Sequence, residues 1–391
     1  MENFVLYNPV KLHFGQEVVS KIGNSASKIG SKALLVIGKG SVKQNDSYRQ
    51  VTESLQKARV EWVEYSGIKP NPVIEDVDKA SQLGREKEVD MVIALGGGSV
   101  VDSAKMISIT IPTNHSGWEF FNGNKIPQKG LPLLCALTLA ATGSEMNPFA
   151  VVQNDQLKKK LGFGNPLIFP RESFLDPAFT KSVPAQHTAF GIADLVAHSL
   201  EAWFGYGEAT LSDRFVIATI KEAIDYGPKL MKNLTDYDLR AKIMYAATCA
   251  LNGMTMPGRK SGDWGVHSIG HSLSVMLDIA HGASLTIAYP AWLKVQIGRI
   301  PERIEQLGRE LFGVFTAQDT IEALEGFFRS IVCPLSLKEA GFSIDENQKR
   351  RLLEIMAQNG VSGMAHKLTG DDHKRLVEIM VNNISNLDQQ A

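Results

Sequence analysis

The chain has 391 residues, of which 44% are hydrophobic and 21% are charged, and this balance is typical of a globular protein with room for two domains. Its 41 basic and 42 acidic side chains give a formal net charge of −1. No overall positive charge attracts nucleic acid or an anionic membrane, so we expect a small-molecule partner instead.

The compartment is indicated by the cysteines and by the amino end. Cys135, Cys249 and Cys333 are far apart and do not suggest a disulfide framework. The first residues lack a signal-peptide pattern, and the longest apolar stretch, 131 to 141, is too short to span a bilayer. We therefore expect a cytoplasmic protein with no membrane partner.

The first half of the chain alternates strand-like and helix-like segments. Strands are predicted at KALLVIG, VEWVEY, VDMVIALGGG and LLCALTL, and helices over 47–58 and 75–88. This alternation is typical of βαβ units, and it predicts an α/β domain with a parallel sheet.

The pattern changes after FLDPAFTKSVP, which covers 174–184, because apolar residues then recur with helical periodicity. Helices are predicted over 186–204, 211–225, 236–251, 302–313 and 318–331. We place a domain boundary near residue 180, which divides the chain into an α/β domain, 1–180, and an all-helical domain, 181–391.

A triple glycine separates a predicted strand from a helix that begins near Ser99, in VIALGGGSVVDSAKMI. Glycine lets the backbone approach a ligand closely, and a helix start presents unpaired N–H groups, so a phosphate fits there. A tight turn capped by Ser99 remains the alternative, because neither standard nucleotide fingerprint is present.

Two further loops, VIGKGSVKQN and TLAATGSE, follow other predicted strands. Loops at the carboxyl ends of neighbouring parallel strands face one crevice, so the three loops together predict a dinucleotide site. Thr138, Thr142 and Ser144 add hydroxyl donors. For TLAATGSE a helix cap with Glu145 in the first turn stays open, and it is compatible with binding.

Histidine is concentrated in HSIGHSLSVMLDIAH, which holds three of the nine histidines of the chain. His267 and His271 share a helix face through i, i+4 spacing, as do Asp194 and His198 in DLVAH, and His281 follows. One carboxylate and three neutral imidazoles would hold a dication at net charge +1 and leave a position for substrate. Histidines that are merely hydrogen-bonded within a core are the alternative.

Together these motifs resemble the iron-containing (group III) alcohol dehydrogenases, in particular the branch of NADPH-dependent butanol dehydrogenases and broad-range aldehyde reductases. The resemblance runs through PNP, GGGSVVDSAK, TLAATGSEMN, DLVAHSLE, HSIGHSLS and AHG. It implies a Rossmann-like dinucleotide-binding domain and an all-α metal-binding domain of the dehydroquinate synthase-like superfamily. It also implies a homodimer.

The resemblance assigns roles to individual residues. The implied ligands of a divalent metal, Fe²⁺ or Zn²⁺, are Asp194, His198, His267 and His281. His271 is implied to pass protons, and Asp102 to lie with Gly97, Gly98 and Ser99 on the pyrophosphate and nicotinamide loop, close to the reacting groups. The other implied cofactor positions are Thr138, Thr142, Asn147 and Lys160, although Lys160 stands in LKKK, which also fits a solvated charge run.

The loop Gly38, Lys39, Gly40 and Ser41 bears on the choice of dinucleotide. Members of the superfamily that prefer NAD often carry an acidic residue there, which binds the ribose 2′-hydroxyl and repels a 2′-phosphate. Lys39 occupies that position here, so we expect NADP(H) rather than NAD(H).

The function implied is a metal-dependent, reversible hydride transfer between NADP(H) and small primary alcohols or aldehydes. Two alternatives stay open among enzymes of the same superfamily, a polyol dehydrogenase and a carbon–oxygen lyase such as dehydroquinate synthase. A nucleotide- and metal-binding module without catalysis is the alternative from another class.

Overall fold

The computed structural model describes residues 1–383, and in this part of the chain no helix combines the length and the apolar character needed to cross a membrane. The α-helices are α1 Ile22–Ala26, α2 Ser41–Gln44, α3 Asp46–Lys57, α4 Ile74–Glu86, α5 Gly98–Thr110, α6 Trp118–Phe121, α7 Ala185–Trp203, α8 Thr210–Lys232, α9 Tyr237–Leu251, α10 Gly265–Leu277, α11 His281–Gln296, α12 Pro301–Leu311, α13 Ala317–Ser330, α14 Glu346–Gln358 and α15 Gly370–Asn382. Short 3₁₀ turns lie at Val18–Lys21, Ser144–Met146, Pro166–Ile168 and Pro177–Thr180.

The strands form one large sheet and one hairpin. They are β1 Lys11–Phe14, β2 Lys32–Gly38, β3 Glu61–Ile68, β4 Met91–Gly96, β5 Leu133–Leu137, β6 Phe149–Asn154, β7 Lys159–Gly164 and β8 Glu172–Leu175. The sheet is parallel throughout in the order β1-β8-β5-β4-β2-β3, while β6 and β7 pair antiparallel. The predicted α/β fold with a parallel sheet is confirmed.

Both faces of the sheet are buried, which explains why its strands are almost continuously apolar. Leu34 and Val36 of β2 belong to one core cluster, whereas Leu35 and Ile37 belong to the other. The same alternation holds in β4 and β5. Helices and loops therefore cover the sheet on both sides, and the strand ends are left to carry the ligand loops.

The strands absent from the sequence prediction are the short or partly exposed ones. β1 and β8 have four residues each, too few to establish a periodicity, and β1 is half exposed at the sheet edge. β1 is fixed instead by its partner strand, where His13 Nε2 lies 2.6 Å from Glu172 Oε2.

The described chain forms two compact units. The α/β unit comprises Tyr7–Pro184 together with Asn233–Gly253, so it contains α9. The helical unit comprises Met1–Leu6, Ala185–Lys232 and the described residues from Met254 onward. The α/β unit's long segment ends at Pro184, close to the boundary expected near residue 180. A single boundary there would nevertheless assign two segments to the wrong unit, Met1–Leu6 and Asn233–Gly253.

The helical unit has buried helices at its centre. In α7 every residue from Gly191 to Trp203 is buried, and α11 is buried over most of its length. α12 is amphipathic and buries Ile304 and Leu307 on one side. Buried polar side chains on these helices, such as Asp194, Glu201 and His267, therefore lie where water solvates them poorly, and they need partners within the unit.

Candidate functional site

Five titratable side chains meet where α7, α10 and α11 pack together. Asp194 and His198 project from α7, His267 and His271 from α10, and His281 begins α11. Candidate ligand atoms of Asp194, His267 and His281 all lie within 4.8 Å of one another. From Asp194 Oδ1 the distances are 3.3 Å to His198 Nδ1, 3.8 Å to His267 Nε2 and 3.6 Å to His281 Nε2.

A glycine allows α11 to reach this position. A Cβ on Gly282 would lie 2.3 Å from the backbone oxygen of Phe190, on α7, so a side chain there would push the two helices apart. Gly282 directly follows His281, and the close approach therefore holds that imidazole against the carboxylate of Asp194.

The cluster contains buried polar atoms that no protein group satisfies. Among the described residues, Asp194 Oδ1, His198 Nδ1 and His267 Nε2 are buried without a hydrogen-bond partner. Three such atoms side by side in an apolar helical unit are costly, and a dication bound among them removes the cost for all three together. The donor set of one carboxylate and several imidazoles suits Zn²⁺ or Fe²⁺.

Burial and neighbouring charges shift the pKa values of the two innermost imidazoles, His198 and His267, in opposite directions. Burial lowers the pKa of His198 to about 4, against the opposing effect of Asp194. Burial also acts to lower the pKa of His267, but the carboxylates of Asp194 and Glu201 outweigh it and raise that pKa to about 9. The two carboxylates thus stabilise positive charge at His267, and they would stabilise a metal cation bound beside it in the same way.

Glu201 is a site residue that the sequence analysis missed. It is fully buried on α7, and its Oε1 lies 2.8 Å from His267 Nδ1. The signal was present in DLVAHSLE, since Glu201 stands seven residues after Asp194 and three after His198, on the same helix face. Its charge changes the expected balance, because two carboxylates around a dication give net zero rather than +1.

His271 lies beside the cluster, outside its innermost group. Its ring centroid is 5.5 Å from that of His281 and 6.5 Å from that of His267, and the residue is partly exposed. This placement suits a group that exchanges protons with solvent better than it suits a metal ligand.

In the α/β unit, the three predicted cofactor loops follow three strands that are neighbours in the sheet. β5, β4 and β2 are adjacent and parallel, so the loops that begin at Thr138, Gly97 and Gly38 leave the sheet at the same edge. In open parallel sheets, ligands bind at this edge. The expectation that these loops come together is met by the strand order.

The loop before α5 packs tightly against the loop after β5. α5 begins at Gly98, and a Cβ on that residue would lie 2.6 Å from the side chain of Thr142. The Ser99 hydroxyl donates to the backbone oxygen of Pro70, which ties the PNP segment to the same place. These contacts hold the start of α5 against its neighbours, and a helix amino terminus is a place where backbone N–H groups can bind a phosphate.

A buried ionic network lies beneath these loops. The ammonium of Lys105, which is fully buried, donates to Ser144 Oγ at 2.8 Å, Asn147 Oδ1 at 3.0 Å and the backbone oxygen of Phe149 at 2.6 Å. Ser144 in turn donates to Asp102 Oδ1 at 2.5 Å. Burial raises the pKa of Asp102 and lowers that of Lys105 to about 8.

This network gives Asp102 and Asn147 a different character from the one that the family resemblance implies. Asp102 Oδ2 accepts the backbone N–H of Val151, and the amide of Asn147 binds Gly143 and Phe149 as well as Lys105. Both side chains hold the loop 143–151 in place. The direct cofactor and catalytic roles expected for them remain predictions.

The predicted lysines differ in their surroundings. Lys160 is buried in β7 and donates to Asn71 Oδ1 at 2.9 Å, so it is not part of a solvated charge run. Lys43 pairs with Glu64 at 2.6 Å, whereas Lys39 is exposed at the end of β2. Both lysines are exposed, and Lys43 already has a carboxylate partner in Glu64.

Sequence models of one family match nearly the whole chain. The model described as iron-containing alcohol dehydrogenase matches residues 9–177, and the model described as the C-terminal part of the Fe-containing alcohol dehydrogenase family matches residues 188–380. The two matches cover the strand-end loops and the histidine cluster, respectively.

Individual relatives are similar over their full length. Probable NADH-dependent butanol dehydrogenase 1 of Bacillus subtilis is 37% identical over 95% of this chain and 98% of its own. NADPH-dependent aldehyde reductase YqhD of Escherichia coli is 31% identical over 97% and 99%. The crystal structure of NADH-dependent butanol dehydrogenase A from Thermotoga maritima superposes with a TM-score of 0.94 at 35% identity, covering 98% and 99% of the two chains. Two of these relatives are named for NADH and one for NADPH.

The buried network yields a prediction about stability. In Lys105→Met the buried carboxylate of Asp102 loses its cation, so we expect the free energy of unfolding in a urea titration to fall by about 3–5 kcal/mol. Lys43→Met breaks a partly exposed ion pair and serves as the control, with an expected loss of about 1 kcal/mol or less. Equal losses in the two variants would show that the Lys105 network contributes no special stability.

Proposed function

Because the chain belongs to the iron-containing alcohol dehydrogenase family, whose members oxidise alcohols and reduce aldehydes, we propose that it transfers hydride reversibly between NADP(H) and small primary alcohols or aldehydes. The observation that carries the proposal is the cluster of buried, unsatisfied ligand atoms around Asp194. An aldehyde carbonyl needs an electrophile of this kind, since hydride addition places negative charge on its oxygen.

In this proposal the divalent metal is held by Asp194, His198, His267 and His281. Bound there, Fe²⁺ or Zn²⁺ supplies Lewis-acid polarisation of the carbonyl oxygen. Asp194 and His198 are one helical turn apart on buried α7, so the helix backbone fixes their separation before any ligand binds. Asp194, His198 and His267 are buried, and the reduced contact with water strengthens the charge interactions among them.

The α/β unit binds the dinucleotide, whose nicotinamide carries the hydride. Gly97, Gly98 and Ser99 at the start of α5 bind the pyrophosphate with backbone N–H groups, and Thr138 and Thr142 add hydroxyl donors. Asp102 and Lys105 hold the neighbouring loop, 143–151, in place through Ser144. Gly98 packs tightly on Thr142, so the loop is ordered before the cofactor binds. Little conformational entropy of the loop is then lost on binding.

His271 donates and accepts the proton that accompanies hydride transfer. Its place next to His281, partly open to solvent, supports this role. Reduction of an aldehyde consumes one proton at the carbonyl oxygen, and oxidation of an alcohol releases it, so a neighbouring imidazole serves both directions.

NADP(H) is proposed over NAD(H) because Lys39 is exposed at the end of β2, where it can pair with a 2′-phosphate. Acidic residues are absent from positions 38–41. The relatives named for NADH are the reason to test this part of the proposal separately. The homodimer implied by the family resemblance stays a prediction.

The first test concerns metal dependence. We expect chelator-treated protein to lose aldehyde-dependent NADPH oxidation and to regain it with Fe²⁺ or Zn²⁺, whereas Asp194→Ala stays at least about 100-fold lower after the same treatment. Asp319→Ala, on the exposed first turn of α13, is the control and should behave as wild type. NADPH binding without turnover of any short aldehyde would favour the module that binds but does not catalyse.

The second test separates His271 from the metal ligands. In His271→Ala we expect kcat to fall about 100-fold while the bound metal per chain is unchanged. His187→Ala, an exposed histidine on α7, is the matched control. A parallel loss of metal would make His271 a ligand, and an unchanged kcat would exclude it as the proton carrier.

The third test concerns the dinucleotide. Lys39→Glu replaces an attractive charge with a repulsive one, so we expect the ratio of kcat/KM for NADPH to that for NADH to fall about 10- to 100-fold. Lys57→Glu makes the same change of charge at the exposed end of α3 and should leave the ratio unaltered. A wild-type enzyme that already prefers NADH would contradict the assignment.

A further inference from the structure

Glu201 accepts three hydrogen bonds with one buried carboxylate. Oε1 accepts the backbone N–H of His267 at 3.0 Å and lies 2.8 Å from His267 Nδ1, and Oε2 accepts the backbone N–H of Trp264 at 2.5 Å. The side chain is fully buried, so these three donors replace the water that an ionised carboxylate would otherwise require.

Two of these hydrogen bonds satisfy backbone N–H groups at the start of α10. Trp264 precedes the helix in a left-handed conformation, with φ 62°, and its side chain makes no cap hydrogen bond. His267 is the third residue of the helix, whose N–H is normally satisfied by the capping side chain. Glu201 provides that cap from α7, and its negative charge is favourable at a helix amino terminus.

The third bond selects the state of the His267 ring. A carboxylate that accepts this hydrogen bond requires a proton on Nδ1, so Nε2 is the ring nitrogen left available to a metal. Nε2 is the atom 3.8 Å from Asp194 Oδ1 that is buried without a hydrogen bond among the described residues. The one contact thus orients the ring and presents the ligating nitrogen to the cluster.

A second buried carboxylate, that of Asp263, lies at the start of α10 but binds backbone groups instead of a candidate ligand. Asp263 accepts the backbone N–H groups of Gly265, Ala365 and His366, at 3.3, 2.9 and 2.7 Å, and so holds the loop 363–366 at the start of α10. Of the two carboxylates, Glu201 is the one in contact with a candidate ligand.

We propose that Glu201 is a positioning residue that locks His267 as an Nε2 metal ligand and supplies the second negative charge that retains a dication. This inference rests on the metal site of the proposed function. With Asp194 alone the occupied site would carry +1, and with Glu201 the two carboxylates balance the metal. Removing Glu201 therefore weakens binding in two ways, through a mobile ring and through an unbalanced charge.

Metal affinity, measured without substrate, tests this assignment. We expect the Kd for Co²⁺, followed by the visible absorption of the loaded protein, to rise about 10- to 100-fold in Glu201→Ala and to change less in Glu201→Gln. The glutamine keeps an oxygen acceptor for His267 Nδ1 and nearly the same shape but lacks the charge. A changed Co²⁺ spectrum in the alanine variant and a wild-type-like spectrum in the glutamine variant would separate ring orientation from charge.

Asp372→Asn is the matched control. Asp372 is likewise buried, caps α15 through the N–H of Thr369 and pairs with Arg299, but it belongs to no ligand cluster among the described residues. We expect this variant to lower the melting temperature without changing the Kd for Co²⁺.

Three outcomes are distinguishable. If wild-type protein binds no Co²⁺, the metal site of the proposed function is wrong. If wild type binds it and both Glu201 variants bind equally well, Glu201 has a structural role only and the inference fails. If Glu201→Ala does not fold, Glu201→Gln decides, since an unchanged Kd and spectrum there exclude the charge effect and a weaker Kd supports it.

Discussion

The helical unit is organised around the difficulty of burying the carboxylate of Asp194. This residue is 2% exposed, and its Oδ1 lies within 3.8 Å of nitrogens from three imidazoles but has no hydrogen-bond partner among the described residues. An ionised carboxylate in such surroundings is unfavourable unless a cation joins it. The close approach of α11 at Gly282 and the cap that Glu201 gives to α10 both bring imidazoles toward that oxygen.

The α/β unit also buries charged side chains, but it pairs two of them within the protein. Two of its buried charges, Asp102 and Lys105, are joined through Ser144 within the protein, so this pair balances without an external ion. A closed network of this kind makes a rigid support, whereas an open network makes a binding site. The two units of the chain therefore show both uses of buried charge, one to shape a loop and one to hold a ligand.

Much of this could be predicted from the sequence because it depends on local spacing. Alternating strands and helices gave the parallel sheet, and the i, i+4 pairs in DLVAH and HSIGH placed ligand candidates on single helix faces. The burial of Lys160 could not be predicted, since LKKK has the composition of a solvated face and its partner, Asn71, is 89 residues away. Spacing in DLVAHSLE places Glu201 on the helix face of Asp194 and His198, but its contact with His267 spans 66 residues and does not follow from local spacing.

The sequence also did not predict to which of the two units α9 belongs. Its periodicity indicates a helix, but only the fold assigns it to the α/β unit, where Thr248 donates to the buried carboxylate of Glu145 at 2.6 Å. The polypeptide passes between its two units four times, at residues 6, 184, 232 and 253. No single cut of the gene yields either half intact, and a fragment ending near residue 180 would lose the hydroxyl that solvates Glu145. Exchanging one unit between relatives would therefore require two pieces of coding sequence for the α/β unit, or three for the helical unit, to be replaced at once.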